Sequence, residues 1–305
     1  MITWAENRDA RFRKVIAEVW SEVGSAWRLG ITGPPGAGKS TLVNELARLE
    51  RTDSREVGIL AVDPSSPFTG GALLGDRIRM EERTLDPGVF IRSMASRDSH
   101  GGLARAAVDA LDAMDAFGLE TLLVETVGVG QAEYDVVRAA DTVVVVLCPG
   151  AGDGVQAMKA GLLEVADILV VNKSDLPGAD RMVNDLSDGL SVRINRPNDW
   201  EVPVVPVSAG RAQGLEELRE RMAEHRRYQE ERGLPELRRL RRLDEIKGRV
   251  DERLRDELWD QRGLTSELEK TYDASEAPDV TASRLVERIL AGVGDLNGAT
   301  PTVER

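Results

Sequence analysis

Between Trp27 and Ser208 the chain repeats one pattern of apolar and polar positions: a short β-branched or aliphatic run, a turn built from Gly, Asp, Asn or Pro, then a stretch with helical spacing. The runs Trp27 to Thr32, Val57 to Asp63, Val89 to Ser93, Thr121 to Thr126, Thr142 to Leu147, Ile168 to Asn172 and Val202 to Val207 predict strands. Most are apolar nearly throughout instead of alternating, as strands covered by helices on both faces are. This predicts an α/β fold with a doubly wound, mostly parallel sheet. Ligands of such sheets collect beyond the carboxyl ends of the strands. The polar residues at those ends are Gly33, Asp63, Glu125, Asn172 and Ser208.

Two regions fall outside this repeat. Residues Ala5 to Val23 read as one amphipathic helix, with Phe12, Ile16, Val19 and Val23 at helical spacing. After about Tyr228 the strand pattern stops, and Pro235 suits the first turn of a helix. Leu237, Leu240, Leu243, Ile246, Val250, Leu254 and Leu258 then form a single apolar stripe on a helix of about seven turns. A second apolar helix, Ala282 to Val293, follows the polar stretch Lys270 to Pro278. Such helices either pack on their own domain or form an arm joining two subunits, and the length favours the arm and a homodimer. The expected organisation is a helical N-terminal segment over residues 1–29, a P-loop domain over 30–228 and a helical dimerisation arm over 229–305.

Composition narrows the classes. A length of 305 residues accommodates one large α/β domain plus an appendage, and 41% hydrophobic residues supply its core. A formal charge of −13 opposes nucleic acid or an anionic membrane surface as a general partner. The single cysteine, Cys148, excludes an intrachain disulfide framework and reads as a small buried hydrophobe in a reducing cytosol. The opening MITWAENRDARFRK lacks an apolar signal core, and the longest apolar runs are strand-sized. The expectation is a cytoplasmic protein that does not span a membrane.

The most specific signal is GPPGAGKS, Gly33 to Ser40, a complete phosphate-loop match between a strand and a helix that begins at Lys39. Its glycines let the backbone wrap a polyphosphate, with the N–H groups of Gly36, Ala37, Gly38, Lys39, Ser40 and Thr41 and the helix N-terminus facing the phosphates. Lys39 adds a point charge there, and the Ser40 hydroxyl reaches Mg²⁺. Downstream, Asn172 to Asp175 reads NKSD. The Asp175 carboxylate can accept from both N1–H and the exocyclic amine of guanine, whereas adenine would present a lone pair to it. GTP and GDP are therefore the expected ligands. Lys173 would cover the base or brace the phosphate loop, Asn172 would tie neighbouring loops together, and backbone N–H groups of Ser208, Ala209 and Gly210 would hold the guanine O6.

A sensor for the γ-phosphate is expected at Glu125-Thr126-Val127-Gly128, with Glu125 as a Mg²⁺ ligand and the Gly128 N–H on the phosphate. The next residue is Val129, where Ras-like proteins place a water-orienting glutamine, and the nearest glutamine is Gln131. Slow intrinsic hydrolysis follows. The stretch VDPSSPFTGGALLGDRIRM contributes Asp63 and Asp76, either of which can bind Mg²⁺, position water or simply cap a turn. Lys39, Asp63 and Glu125 are the candidate catalytic groups.

With these residues in hand, the chain resembles the MeaB/ArgK family of G-protein chaperones that serve cobalamin-dependent acyl-CoA mutases. The similarity runs from about Gly30 into the C-terminal helices. It is carried by GITGPPGAGKSTL, VDPSSPFTGGALLGDRIRM, FIRSMASRDSHGGLARA, ETVGVGQAE, PGAGDGVQAMKAGLLEVADILVVNKSD and VSAG. The resemblance implies a homodimer joined through its helical arm. It also implies a GTPase cycle that gates adenosylcobalamin loading and protects or reactivates the mutase. By position, Ser40, Asp63, Asp76 and Glu125 become Mg²⁺-site residues, and Asp153, Gln156 and Lys159 fall in a third switch facing the mutase. The segment before the phosphate loop is shorter than the family's usual extension, and PFTGG and ASRDSHGG depart from its commoner wording. The client is thus methylmalonyl-CoA mutase or a sister acting on isobutyryl-, ethylmalonyl- or 2-hydroxyisobutyryl-CoA. Competing classes are a nickel-type metal-insertion GTPase, which would need a Cys/His ligand cluster, and a kinase or transport-associated ATPase, which Asp175 opposes.

Overall fold

The computed structural model describes residues 1–64, 85–96, 102–126, 139–150, 162–191, 200–261, 263–272 and 276–294. Its chain forms two compact units, Met1–Arg239 and Leu240–Arg305.

The first unit is built on seven strands: β1 (Trp27–Thr32), β2 (Val57–Pro64), β3 (Val89–Ser96), β4 (Thr121–Thr126), β5 (Thr142–Leu147), β6 (Ile168–Val171) and β7 (Val204–Pro206). They lie in the order β3-β2-β4-β1-β5-β6-β7, each parallel to its neighbours. β1 is central, and every residue of β1, β4 and β5 is buried. Edge strand β7 is shorter than the apolar run around it, since Pro203 has no N–H to give a ladder, although its carbonyl accepts from Leu169 N–H at 2.9 Å.

Helices α1 (Ile2–Glu6), α2 (Ala10–Glu18), α3 (Lys39–Thr52), α4 (Gly102–Ala116), α5 (Leu162–Val165), α6 (Ala179–Ser191) and α7 (Leu215–Glu231) belong to this unit. Strand residues alternate between faces, so one core joins Ile31, Leu123, Val144 and Val146 to Leu42 and Leu46 of α3 and Leu218 of α7. Another joins Leu122 and Val124 to Ala107, Leu111 and Met114 of α4. Two-sided coverage accounts for the unbroken apolar runs.

The expected single N-terminal helix is broken. Arg8 takes a left-handed φ of 53°, and Asp9 starts α2 by accepting from Arg11 N–H at 2.9 Å. The polar Asn7-Arg8-Asp9 triplet thus makes a cap where the apolar spacing suggested continuity.

At the amino end of β1 a buried charge network fixes the sheet. Asp115 is 1% exposed and accepts from the N–H groups of Gly24 (2.9 Å), Ser25 (3.2 Å) and Ala26 (3.0 Å). The Arg28 guanidinium reaches Asp112 at 2.8 Å and Asp115 at 3.2 Å, and Asp141 accepts from Arg28 N–H at 3.1 Å. Burial pulls the Arg28 pKa down, but the carboxylates of Asp112, Asp115 and Asp141 outweigh it and hold the group above its ordinary value. Arg238 closes the network on Asp141 at 2.6 Å and the Ala26 carbonyl at 2.8 Å.

Helix α8 (Leu234–Arg255) carries the chain from the first unit into the second, with Pro235 in its first turn. The second unit continues through a π-helical segment (Asp256–Gln261), α9 (Leu264–Thr271) and α10 (Pro278–Gly294). The long helix predicted through Leu258 therefore leaves α-geometry after Arg255, and α9 is an additional helix. Leu240, Leu243, Ile246, Val250 and Leu254 are 39–53% exposed along α8. Trp259, Leu264, Leu268, Tyr272, Leu285 and Ile289 line an apolar cavity of about 550 Å³.

Removing the Asp115 carboxylate would leave buried N–H groups and a buried guanidinium without it. Asp115→Ala is expected to lower unfolding free energy by about 3–5 kcal/mol. A denaturant midpoint within error of the unsubstituted protein would contradict that role.

Candidate functional site

The phosphate-loop sequence leaves the carboxyl end of central β1 and enters α3. Gly33 has φ 141°, and a Cβ there would lie 2.0 Å from the Val146 carbonyl oxygen. Gly38 caps α3 with φ 89°, and its Cβ would lie 2.4 Å from Asn172 Nδ2. Both positions demand glycine, for close approach as well as conformation. Lys39 opens the helix and is 5% exposed. Its ammonium turns back over the loop, donating to the Gly33 carbonyl at 2.8 Å and the Pro34 carbonyl at 3.0 Å. Thr41 is exposed on the first turn.

Ser40 Oγ donates to Glu125 Oε1 at 2.6 Å. Glu125 is 1% exposed near the carboxyl end of β4, held there by pairing with Ile31 of β1 and Ala61 of β2. A hydroxyl and a buried carboxylate thus converge beside the loop, a pair of hard oxygen donors that fits Mg²⁺. Asp63 lies at the carboxyl end of β2, one residue beyond the pairing of Val62 with Thr126. Asp76 and Gly128 lie outside the described residues, as do Val129, Gln131, Asp153, Gln156 and Lys159.

The NKSD segment follows β6. Asn172 is 2% exposed and bridges two loops: its Nδ2 donates to the Ala37 carbonyl at 2.8 Å, and its Oδ1 accepts from Ala209 N–H at 3.1 Å. Lys173 adopts a left-handed φ of 56°, and its ammonium donates to the Gly36 carbonyl at 2.7 Å. Asp175 accepts from Ser208 Oγ at 2.6 Å and pairs with Arg211 at 3.0 Å. The Ser208 hydroxyl, then Asp175's own backbone N–H and last the charge of the Arg211 guanidinium hold the Asp175 carboxyl below the usual carboxylate range against the opposing effect of burial. Ser208 and Ala209 are buried at the start of the turn, and Gly210 is exposed.

Lys39, Ser40, Glu125, Asn172, Lys173, Asp175 and Ser208–Gly210 are therefore gathered at one end of the sheet. Sequence reasoning missed Arg211. Its signal was only its adjacency to the Ser-Ala-Gly turn, which carries no information about a partner. Cys148, 7% exposed, has its sulfur 4.0 Å from the Gly36 carbonyl oxygen and lies under the loop.

A glycine-lined loop at the carboxyl end of a central parallel strand, feeding a helix N-terminus, defines a P-loop nucleotide-binding protein of the GTPase type. The family model described as methylmalonyl-CoA mutase-associated GTPase MeaB matches residues 1–263, and the chain belongs to that family. A protein of Pyrococcus abyssi, named provisionally as a GTPase, is 50% identical over 250 residues, covering 81% of this chain and 77% of that one. The mouse methylmalonic aciduria type A homolog is 36% identical over 201 residues, covering 65% of this chain and 48% of its own. A crystal structure of an LAO/AO transport system kinase superposes with a TM-score of 0.69 at 24% identity, covering 91% of this chain and 86% of that one. That last likeness concerns the fold.

Proposed function

We propose that the protein binds GTP and hydrolyses it slowly, acting as a nucleotide-gated chaperone of a cobalamin-dependent acyl-CoA mutase. One observation carries the nucleotide half of this reading. Asn172 links Ala37 of the phosphate loop to Ala209 of the turn that holds Asp175, so the phosphate and base sites share one anchor. The loop N–H groups and the amino end of α3 would take the polyphosphate, with Lys39 leaving the Gly33 and Pro34 carbonyls for the β- and γ-phosphate oxygens. Asp175 would receive the two adjacent N–H groups of guanine, and the Ser208–Gly210 backbone its O6. Ser40 and Glu125, with Asp63 and Asp76, are the proposed Mg²⁺ site; bound there, the ion would neutralise charge on the phosphates. Glu125 keeps the Ser40 hydroxyl oriented toward that position, and Asp63 is proposed to position water. Val129 offers no group to orient attacking water, which is why hydrolysis by the chain alone is expected to be slow.

The chaperone half rests on family membership and on sequence blocks that generic GTPases lack. Partner binding is proposed to order Asp63, Gly128 and the segment holding Asp153, Gln156 and Lys159, and so to stimulate hydrolysis and release the gate on adenosylcobalamin. A metal-insertion role fits less well. Cys148 follows the carboxyl end of β5, whereas His225 pairs with Thr142 at its amino end at 2.9 Å, so the two cannot share an ion. The exposed α8 stripe supports a homodimer through the helical arm.

Three outcomes test these claims. With Asp175→Asn, preference should move from guanine toward xanthine nucleotides by about tenfold or more, since xanthine's carbonyl accepts from the new amide. A variant still strictly selective for guanine on calorimetry removes the base-recognition argument. The triple change Leu243→Glu, Ile246→Glu and Val250→Glu should yield monomers by light scattering, and an unchanged dimer would put the interface elsewhere. Immobilised protein holding GDP or a non-hydrolysable GTP analogue should retain an acyl-CoA mutase subunit from native extract. Retention of other proteins alone would refute the client assignment.

A further inference from the structure

The Asp175 carboxylate offers about four lone-pair positions on its two oxygens. Ser208 Oγ occupies one on Oδ1 at 2.6 Å, and Arg211 Nη2 one on Oδ2 at 3.0 Å. Ser208 and Arg211 thus engage different oxygens, and the residue's own backbone N–H donates to the same carboxylate. The Asp175 side chain is 19% exposed and that of Arg211 62%, which puts the guanidinium at the solvent rim of the carboxylate.

Both partners come from one short, closed turn. Residues Ala209–Arg211 form a 3₁₀ turn, with Arg211 N–H donating to the Ser208 carbonyl at 3.0 Å and Ala212 N–H to the Ala209 carbonyl at 3.1 Å. Ala212 ends it with a left-handed φ of 53°, and Ser208 pairs with Gln213 through N–H donations at 3.0 and 3.1 Å. Gly214 next packs so tightly that a Cβ would lie 2.3 Å from the Pro206 carbonyl oxygen. The turn is anchored again by the bond from Ala209 N–H to Asn172 Oδ1. Arg211 thus stands on a fixed platform, which limits the entropy its long side chain must lose to hold the carboxylate.

We propose that Arg211 is a positioning residue of the base site. Together with Ser208, which holds the other oxygen, it fixes the plane of the Asp175 carboxylate so that its two oxygens face a purine bearing adjacent N1–H and exocyclic amine donors. This rests on the guanine-binding reading above and adds to it the residue that sharpens discrimination between guanine and hypoxanthine, which lacks the amine. Exposed ion pairs contribute little to folding, so the role is in recognition and not stability.

The test measures affinities for GDP, IDP and ADP by calorimetry, together with melting temperatures, for the unsubstituted protein, Arg211→Ala, Arg211→Lys and Asp175→Ala. Arg211→Ala should weaken GDP about fivefold to twentyfold and IDP less, so that the GDP-to-IDP ratio falls while the melting temperature holds. Arg211→Lys should restore part of the ratio. A ratio in Arg211→Ala within about twofold of the original, or tighter GDP binding, overturns the inference, the latter by making Arg211 a competitor for the carboxylate. Failure of the underlying reading looks different: the unsubstituted protein would bind ADP as well as GDP, or Asp175→Ala would keep its guanine preference. Either result overturns both.

Discussion

The Asn172 side chain engages the Ala37 carbonyl on one side and the Ala209 N–H on the other, and the amide lies so close to Gly38 that a methyl group there would collide with it. A buried carboxamide with donor and acceptor both engaged is specific in direction as well as distance, because neither end can be exchanged without orphaning a backbone group. Loop, helix start and distant turn are thereby fixed relative to each other by one residue at the end of β6. The position of Asp175 follows from the same constraint, since Ser208, which bonds its carboxylate, precedes Ala209 directly.

At the other end of β1 the constraint is ionic. Arg28, Asp112, Asp115 and Asp141 are all buried, and Asp115 serves three consecutive N–H groups that β1's approach would otherwise leave unsatisfied. A single extended strand connects this network to Gly33, whose backbone presses against the Val146 carbonyl. A strand fixed at both ends cannot slide in register, so the loop that leaves it starts from a defined height above the sheet. Arg238, at the start of α8 and within the first compact unit, joins the same network.

Much of this was legible in the sequence because it depends on local composition. Strands covered on both faces have few alternatives to continuous Val, Leu and Ile, and a loop passing within contact of a carbonyl must be glycine. What the sequence hid depends on geometry between distant positions or on single dihedrals. The break at Arg8 is one left-handed residue within apolar spacing that continues across it. The π-helical segment at Asp256–Gln261 leaves the Leu254 to Leu258 spacing looking like ordinary helix. Arg211 meets Asp175 only because a 3₁₀ turn closes between Ser208 and Ala212, and no spacing rule encodes that meeting.

The lysines show how the loop keeps its shape before any phosphate arrives. Lys39 is nearly buried, and an ammonium in that position without acceptors would be expensive to desolvate. The carbonyls of Gly33 and Pro34 supply them, and Lys173 does the equivalent for Gly36 from outside. The Gly33 and Pro34 carbonyls each precede a proline, so the two peptides that Lys39 holds carry no N–H of their own and the donors of the loop begin at Gly36. On the reading proposed here, a polyphosphate would meet the N–H groups from Gly36 onward, and Lys39 would exchange neutral carbonyl partners for anionic oxygens with stronger, charge-assisted bonds. Lys173 has no need to move, so its bond to Gly36 would brace the loop with ligand or without it. The lysine that turns back on its own loop is thus part of the same preorganisation that makes the loop a phosphate cradle.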